Sequence, residues 1–384
     1  MSVTSPQGFR AAGVAAGLKN SGKPDVAVVI NDGPSKAVAG VFTSNRVKAA
    51  PVRWSQQVVA GAQASAVVLN SGGANACTGP AGYADTEQTA HHLARLLAVP
   101  AEEVAVCSTG LIGERLPMHQ LLVGVDAATV AASAQGGQAA AIAIMTTDTV
   151  AKTTRLDGTG GYQIGGMAKG AAMLAPALAT MLVVLTTDAD VAASDLDKAL
   201  RAATATTFDR VDSDGCMSTN DTVLVLASGA SGVRPDPDEF TELLTAACAD
   251  LARQLVLDAE GATKAISIQV VGADSEQDAV TVGRAVARSS LLKCAIAGED
   301  PNWGRVLSAV GTTDAAFDPD QLNVAINGVW VCRDSGPGED RSAVDLKPRD
   351  VTITIDLQAG PAAATVRTTD LTAAYVHENS AYST

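Results

Sequence analysis

The 384-residue chain is long enough for two to three domains, is 47% apolar but only 3% aromatic, and carries a formal net charge of −14. Its core must be built from Ala, Val and Leu. The acidic balance argues against nucleic acid or an anionic membrane as a partner. The start, Met1 to Pro6, lacks a basic region leading into an apolar stretch, and no run of about 18 residues is free of polar breaks, so a cytoplasmic protein with neither leader nor membrane span is expected.

Taken in order, apolar runs at 26–30, 37–43 and 64–69 read as strands, the first ending in the turn Asn31-Asp32-Gly33-Pro34. The third feeds Asn70-Ser71-Gly72-Gly73-Ala74-Asn75-Ala76-Cys77-Thr78-Gly79, a turn that can bring backbone N–H groups to a ligand but lacks the Lys-Ser/Thr ending of a P-loop. Residues 85–97 form an amphipathic helix, and a strand at 104–107 opens into Ser108-Thr109-Gly110-Leu111-Ile112-Gly113. That turn is either an ordinary strand-to-helix connection or a place where the Thr109 hydroxyl and the Gly110 N–H converge on an oxyanion. An Ala-rich helix broken at Gly136-Gly137 is expected over 127–144, followed by the hydroxyl-rich island Thr146-Thr147-Asp148-Thr149. Strands at 152–156 and 162–167 lead to Lys169, which is either a solvated lysine or a cation for a substrate carboxylate.

The segment Ala177-Leu178-Ala179-Thr180-Met181 enters an aliphatic strand closed by Thr186-Thr187-Asp188. Pro176 disfavours helix at Ala175. Thr180 fits there as a β-branched residue opening a strand. A sharper reading is that its hydroxyl attacks the Ala179 carbonyl and the resulting ester hydrolyses. The new N-terminal α-amine, with a pKa near ~7.7, could then act as base for its own hydroxyl. Further on, a helix over 194–206 with Ser194 as N-cap is expected, then the unusually polar stretch 208–221, which resembles a calcium loop only loosely and lacks its Glu. A strand at 222–227, a long amphipathic helix at 237–259 ending in Glu260-Gly261, a strand at 265–271 and a helix at 275–289 follow. The remainder is strand-rich at 322–331, 351–357 and 363–369, with a polar cluster at 298–305. The tail 375–384 lacks flexible composition and is expected to dock.

Six cysteines (Cys77, Cys107, Cys216, Cys248, Cys294 and Cys332) contain no C-x-x-C pair and read mostly as small buried hydrophobes. The histidines His91, His92, His119 and His377 have no metal-type spacing, so neither a metal site nor a Ser-His-Asp triad is expected. Helices interleave irregularly with strands, which favours an α+β arrangement of sheets covered by helices over a doubly wound sheet.

On the blocks at 70–79, 108–113, 145–149, 169–188, 208–222, 258–264, 298–305 and 375–384, the chain closely resembles the ornithine acetyltransferase family, the glutamate N-acetyltransferases of arginine biosynthesis. The resemblance implies a layered αββα-type sandwich of the N-terminal-nucleophile-like kind shared by DmpA and ArgJ, with a smaller C-terminal α/β domain from about 280 to 384. It implies self-cleavage between Ala179 and Thr180 into chains 1–179 and 180–384 that stay associated, as α2β2. It assigns Thr180 as nucleophile, Thr109 and Gly110 as the oxyanion hole, and Thr147, Lys169, Thr180, Glu260, Asn379 and Thr384 as substrate contacts. N-acetylornithine would be the acetyl donor and glutamate the acceptor, with no cofactor. Acetyl-CoA serves some members as a second donor. Ala171-Ala172 and Ala177-Leu178 depart from the family's frequent Ser-Gly and Asn-Met. The alternative is a self-processing aminopeptidase or amidase with water as acceptor; a third is an unprocessed binding protein. On a denaturing gel the purified protein is expected to give two fragments of similar size, and Thr180→Ala a single full-length band; an uncut wild type would contradict the cleavage.

Overall fold

The computed structural model describes residues 2–173 and 181–381. Two sheets face each other across a shared core. The first has the order β1-β2-β4-β5, from β1 (Phe9–Val14), β2 (Val26–Asn31), β4 (Ala66–Ser71) and β5 (Val104–Thr109). The second has the order β3-β9-β8-β7-β6, from β3 (Ala37–Phe42), β6 (Lys152–Asp157), β7 (Gln163–Lys169), β8 (Leu182–Thr187) and β9 (Thr222–Ala227).

Alternate side chains of the second sheet explain why its strands read as unbroken apolar runs. Leu182, Val184, Leu224 and Leu226 enter the core between the sheets, whereas Val183, Leu185, Val223 and Val225 enter a second core on the opposite face. A strand covered on both faces needs apolar residues at every position. The helices α2 (Gly79–Leu97) and α3 (Met118–Ala131) pack on the first sheet, and α5 (Ala193–Thr206) and α6 (Pro237–Leu257) on the second. The helices α1 (Ala50–Ala60) and α4 (Gly137–Ala143) each touch strands of both sheets. The result is the helix–sheet–sheet–helix layering expected.

A third sheet, ordered β13-β12-β11-β14-β10-β15, has its own core. Its strands are β10 (Ala265–Ala273), β11 (Asn323–Ile326), β12 (Val329–Arg333), β13 (Gly336–Pro337), β14 (Asp350–Asp356) and β15 (Ala362–Thr369). The helices α7 (Glu276–Ala287), α8 (Ser290–Ala297) and α9 (Trp303–Val310) contribute to that core, and α10 (Ala373–Ala381) ends the described chain. This core begins with Ile266, ahead of the boundary expected near 280.

Several expectations are corrected. The Ala-rich helix starts earlier, at Met118, and is interrupted between Ala131 and Gly137. Ser194 does not cap α5: Ala192 takes the extended cap position without a side-chain bond. The single strand expected at 322–331 is a hairpin, because Asn327 (φ 47°) and Gly328 (φ 85°) make the left-handed pair of a tight turn. Cys77, Cys216 and Cys294 are exposed, and only Cys107, Cys248 and Cys332 are buried.

The layers are pinned near their polar ends by one fully buried cation. Lys152 Nζ donates to Asp148 Oδ1 at 2.6 Å and to Asp258 Oδ2 at 2.5 Å, joining β6 to the residue that follows α6. Asp258 also accepts the Thr149 N–H at 3.0 Å and the Thr149 hydroxyl. Removing the cation leaves two enclosed carboxylates facing each other. Lys152→Met is therefore expected to destabilise the fold by about 3–5 kcal/mol, read as a lowered urea midpoint; an unchanged midpoint would contradict this account.

Candidate active site

Thr109 and Gly110 sit where β5 leaves its sheet. The Thr109 carbonyl accepts the N–H groups of both Gly72 and Gly73 at 3.0 Å, and the Gly113 N–H reaches Ala76 O at 2.9 Å, so the two turns that follow β4 and β5 are laced together. Gly110 has a φ of 130°, and a Cβ there would lie 2.5 Å from the Gly73 nitrogen. Only glycine fits, since the left-handed backbone and the close approach both exclude a side chain.

Lys169 ends β7 and is 2% exposed, which excludes the solvated reading. Its ammonium can only donate, and it donates to Thr109 Oγ1 at 3.2 Å. The Thr109 hydroxyl hydrogen is thereby left to point elsewhere. Burial lowers the Lys169 pKa and Lys152 adds to the lowering, while Asp148 and Glu260 pull it back up. Burial would by itself raise the Asp148 pKa, but Lys169, Lys152 and the Gly170 N–H at 2.7 Å together bring it down to about 2.

Thr109, Gly110, Thr147, Lys169 and Glu260 line one cavity, along with Thr146, Met173 and Asn220. Glu260 is presented by the turn after α6, where its N–H donates to Ala171 O at 2.8 Å. Asn379, on α10, donates to Glu260 Oε2 at 3.0 Å, so the tail reaches the site through that carboxylate. The adjoining Gly261 has a φ of 61°, and a Cβ on it would meet the Tyr375 nitrogen at 2.2 Å; glycine is what lets α10 seat there. Ala179, Thr180 and Thr384 lie outside the described residues.

The polar stretch 208–221 proves to be the scaffold of the site, a role not assigned to it from the sequence. Asn220 Nδ2 donates to Ala74 O at 2.6 Å and to Ser108 O at 2.8 Å, bridging the turn after β4 and the end of β5. Asp214 Oδ2 accepts the Met173 N–H at 2.7 Å, and Asp221 Oδ1 accepts the Met181 N–H at 3.0 Å. The described residues on either side of 174–180 are thus both held by this one stretch. Its density of Asp, Asn and Ser was the signal: so many short polar side chains in sequence are side-chain acceptors and donors for neighbouring backbone.

The cavity is lined by a hydroxyl, a glycine, a buried cation and a carboxylate, a set of groups that can serve acyl transfer. A model of the ArgJ family matches residues 10–384. The chain is similar over its full length to the arginine biosynthesis bifunctional protein ArgJ of Thermobifida fusca, at 68% identity over 384 residues, covering 100% of each chain. It is 67% identical over 383 residues to the protein of the same name from Streptomyces avermitilis, again covering 100% of each. A solved structure of ornithine acetyltransferase from Mycobacterium tuberculosis, complexed with ornithine, is 56% identical over 47% of this chain and 96% of that one, with a TM-score of 0.45.

Asn220→Ala would leave the Ala74 and Ser108 carbonyls unpaired inside the protein. Each such group costs about 1–3 kcal/mol, so a loss of about 2–6 kcal/mol is expected in denaturant unfolding; a loss under about 0.5 kcal/mol would contradict the bridging role.

Proposed function

The chain belongs to the ArgJ family, and from there we propose that it is a glutamate N-acetyltransferase that works through an acetyl-threonine. The chain cleaves itself between Ala179 and Thr180. The Thr180 hydroxyl then attacks the acetyl carbonyl of N2-acetylornithine, its proton passing to the free α-amine and on to the departing ornithine nitrogen. The acetyl group rests as an ester on Thr180. The amine of glutamate attacks that ester, and N-acetylglutamate leaves with the threonine hydroxyl restored.

The observation that carries this reading is the convergence of Thr109, Gly110, Thr147, Lys169 and Glu260 on one cavity, with Met173 in its wall and Met181 tied to the residue beside Asn220. Each half-reaction develops a negative oxygen. Thr109 has a hydroxyl hydrogen to offer it, because Lys169 already occupies the acceptor side of that oxygen. Gly110 would be the second donor. Removing one such donor typically raises the barrier by about 2.7–4 kcal/mol. Lys169 would meet the substrate α-carboxylate, and Glu260, oriented by Asn379, the side-chain ammonium of ornithine. Thr147 and Thr384 would complete the substrate contacts.

The relatives' shared name, arginine biosynthesis bifunctional protein, supports placing the reaction in arginine synthesis; for a second activity, acetyl-CoA is the donor proposed. No cofactor is required, and the two fragments would remain together as paired αβ units.

Purified protein given N-acetylornithine and glutamate is expected to form N-acetylglutamate and ornithine in equal amounts. Free acetate in place of acetylglutamate would identify a hydrolase instead. Acetyl-CoA with glutamate alone tests the second donor. Glu260→Gln is expected to raise the KM for N-acetylornithine by roughly 10- to 100-fold, the worth of one hydrogen bond to a charged group; an unchanged KM would refute its assignment.

A further inference from the structure

Asp221 is a buried titratable side chain that the reaction above does not use. It is 0% exposed. Its Oδ1 accepts the Met181 N–H at 3.0 Å, and its Oδ2 is enclosed with no hydrogen-bond partner among the described residues. The Met181 backbone is held at its other end as well, since its carbonyl accepts the Thr222 N–H at 3.2 Å. Asp221 is itself anchored by its carbonyl, which accepts the Thr43 N–H at 3.0 Å.

The position of this grip is what matters. Met181 N belongs to the peptide bond whose carbonyl comes from residue 180, and β8 starts only at Leu182. Leu182 faces Lys169 in the β7–β8 register. A side chain thus supplies the acceptor for the last main-chain N–H before the strand. Any buried N–H needs an acceptor, but a carboxylate is a costly choice in an enclosed site.

We propose that Asp221 is a positioning residue for the nucleophile: it grips the peptide between residues 180 and 181 through the Met181 N–H and fixes the backbone from which the Thr180 side chain acts. The inference rests on Thr180 being the nucleophile. Asp221 does this as an uncharged acid. A carboxylate so enclosed would be strongly destabilised, and burial holds its pKa well above the usual carboxylate range despite the Met181 N–H, the Ser218 hydroxyl and the nearby Lys169.

The test compares wild type, Asp221→Asn and Asp221→Leu, following chain cleavage by intact mass and exchange kinetics on the cleaved fraction, with thermal unfolding to confirm the fold. Asparagine keeps the acceptor for Met181 and carries a neutral donor in place of the acid O–H. D221N is therefore expected to cleave and turn over within about threefold of wild type, a difference well below one hydrogen bond. Leucine removes the acceptor. D221L is expected to slow cleavage and lower kcat by about 100-fold, the scale of a misplaced reacting group, while KM for both substrates changes less than about twofold. A D221L enzyme with wild-type kcat overturns the proposal, as does a D221N enzyme as impaired as D221L. Should the leucine variant not fold, D221N decides: near wild-type rates support the uncharged grip, and a fall in kcat at constant KM overturns it. A wild type that is uncut and inert would overturn the Thr180 reading itself, before any variant is compared.

Discussion

The site depends on keeping a lysine inside the protein. Lys169 is nearly inaccessible, and an enclosed ammonium is tolerated only if opposite charge and hydrogen bonds replace the water it has lost. Asp148 supplies the charge, and it is itself held by Lys152 and by the N–H of Gly170, the residue next to Lys169. Lys152 in turn is balanced by Asp258, which also fixes Thr149. The line Lys169–Asp148–Lys152–Asp258 runs from the end of β7 to the end of α6. There the chain turns and presents Glu260 to the same cavity. Charge balance in the interior therefore sets both the electrostatics of the pocket and the relative placement of two of its walls.

The two facing sheets make that arrangement rigid. The β5 and β7 strands belong to different sheets, yet their ends meet where Lys169 donates to Thr109. A single strand edge could not bring a hydroxyl, a glycine N–H and a buried cation together from residues so far apart in sequence. The stretch 208–221 then ties the segments across the gap, through Asn220 to the turn after β4 and the end of β5, and through Asp214 and Asp221 to Met173 and Met181.

Much of this could be read from the residues. Aliphatic runs such as 181–185 and 222–227 announced strands because burial on both faces leaves no room for alternation. Thr109, Gly110 and Lys169, singled out from their local pattern, meet in one cavity with Thr147 and Glu260, which the resemblance added. What sequence did not disclose was pairwise geometry. Lys169 reads equally well as a surface residue until its burial is known. Asn220 and Asp221 carry short polar side chains whose partners Ala74, Ser108 and Met181 lie many residues away, and no local pattern names those partners. The hairpin at Asn327-Gly328 was hidden by apolar residues on both sides, although the dipeptide itself is a turn signal. The resemblance placed Asn379 among the substrate contacts, but its bond to Glu260 was not legible in the sequence.

The proposed chemistry needs an acyl group to rest on one hydroxyl while one amine leaves and another enters. That intermediate can be isolated by withholding the acceptor. Incubating the purified protein with N-acetylornithine alone, quenching in acid and measuring intact and peptide masses tests it directly. The account predicts a single added acetyl group on the fragment beginning at residue 180, located on Thr180 and removed when glutamate is added before the quench. An unmodified fragment, or an acetyl group on any other residue, would contradict it.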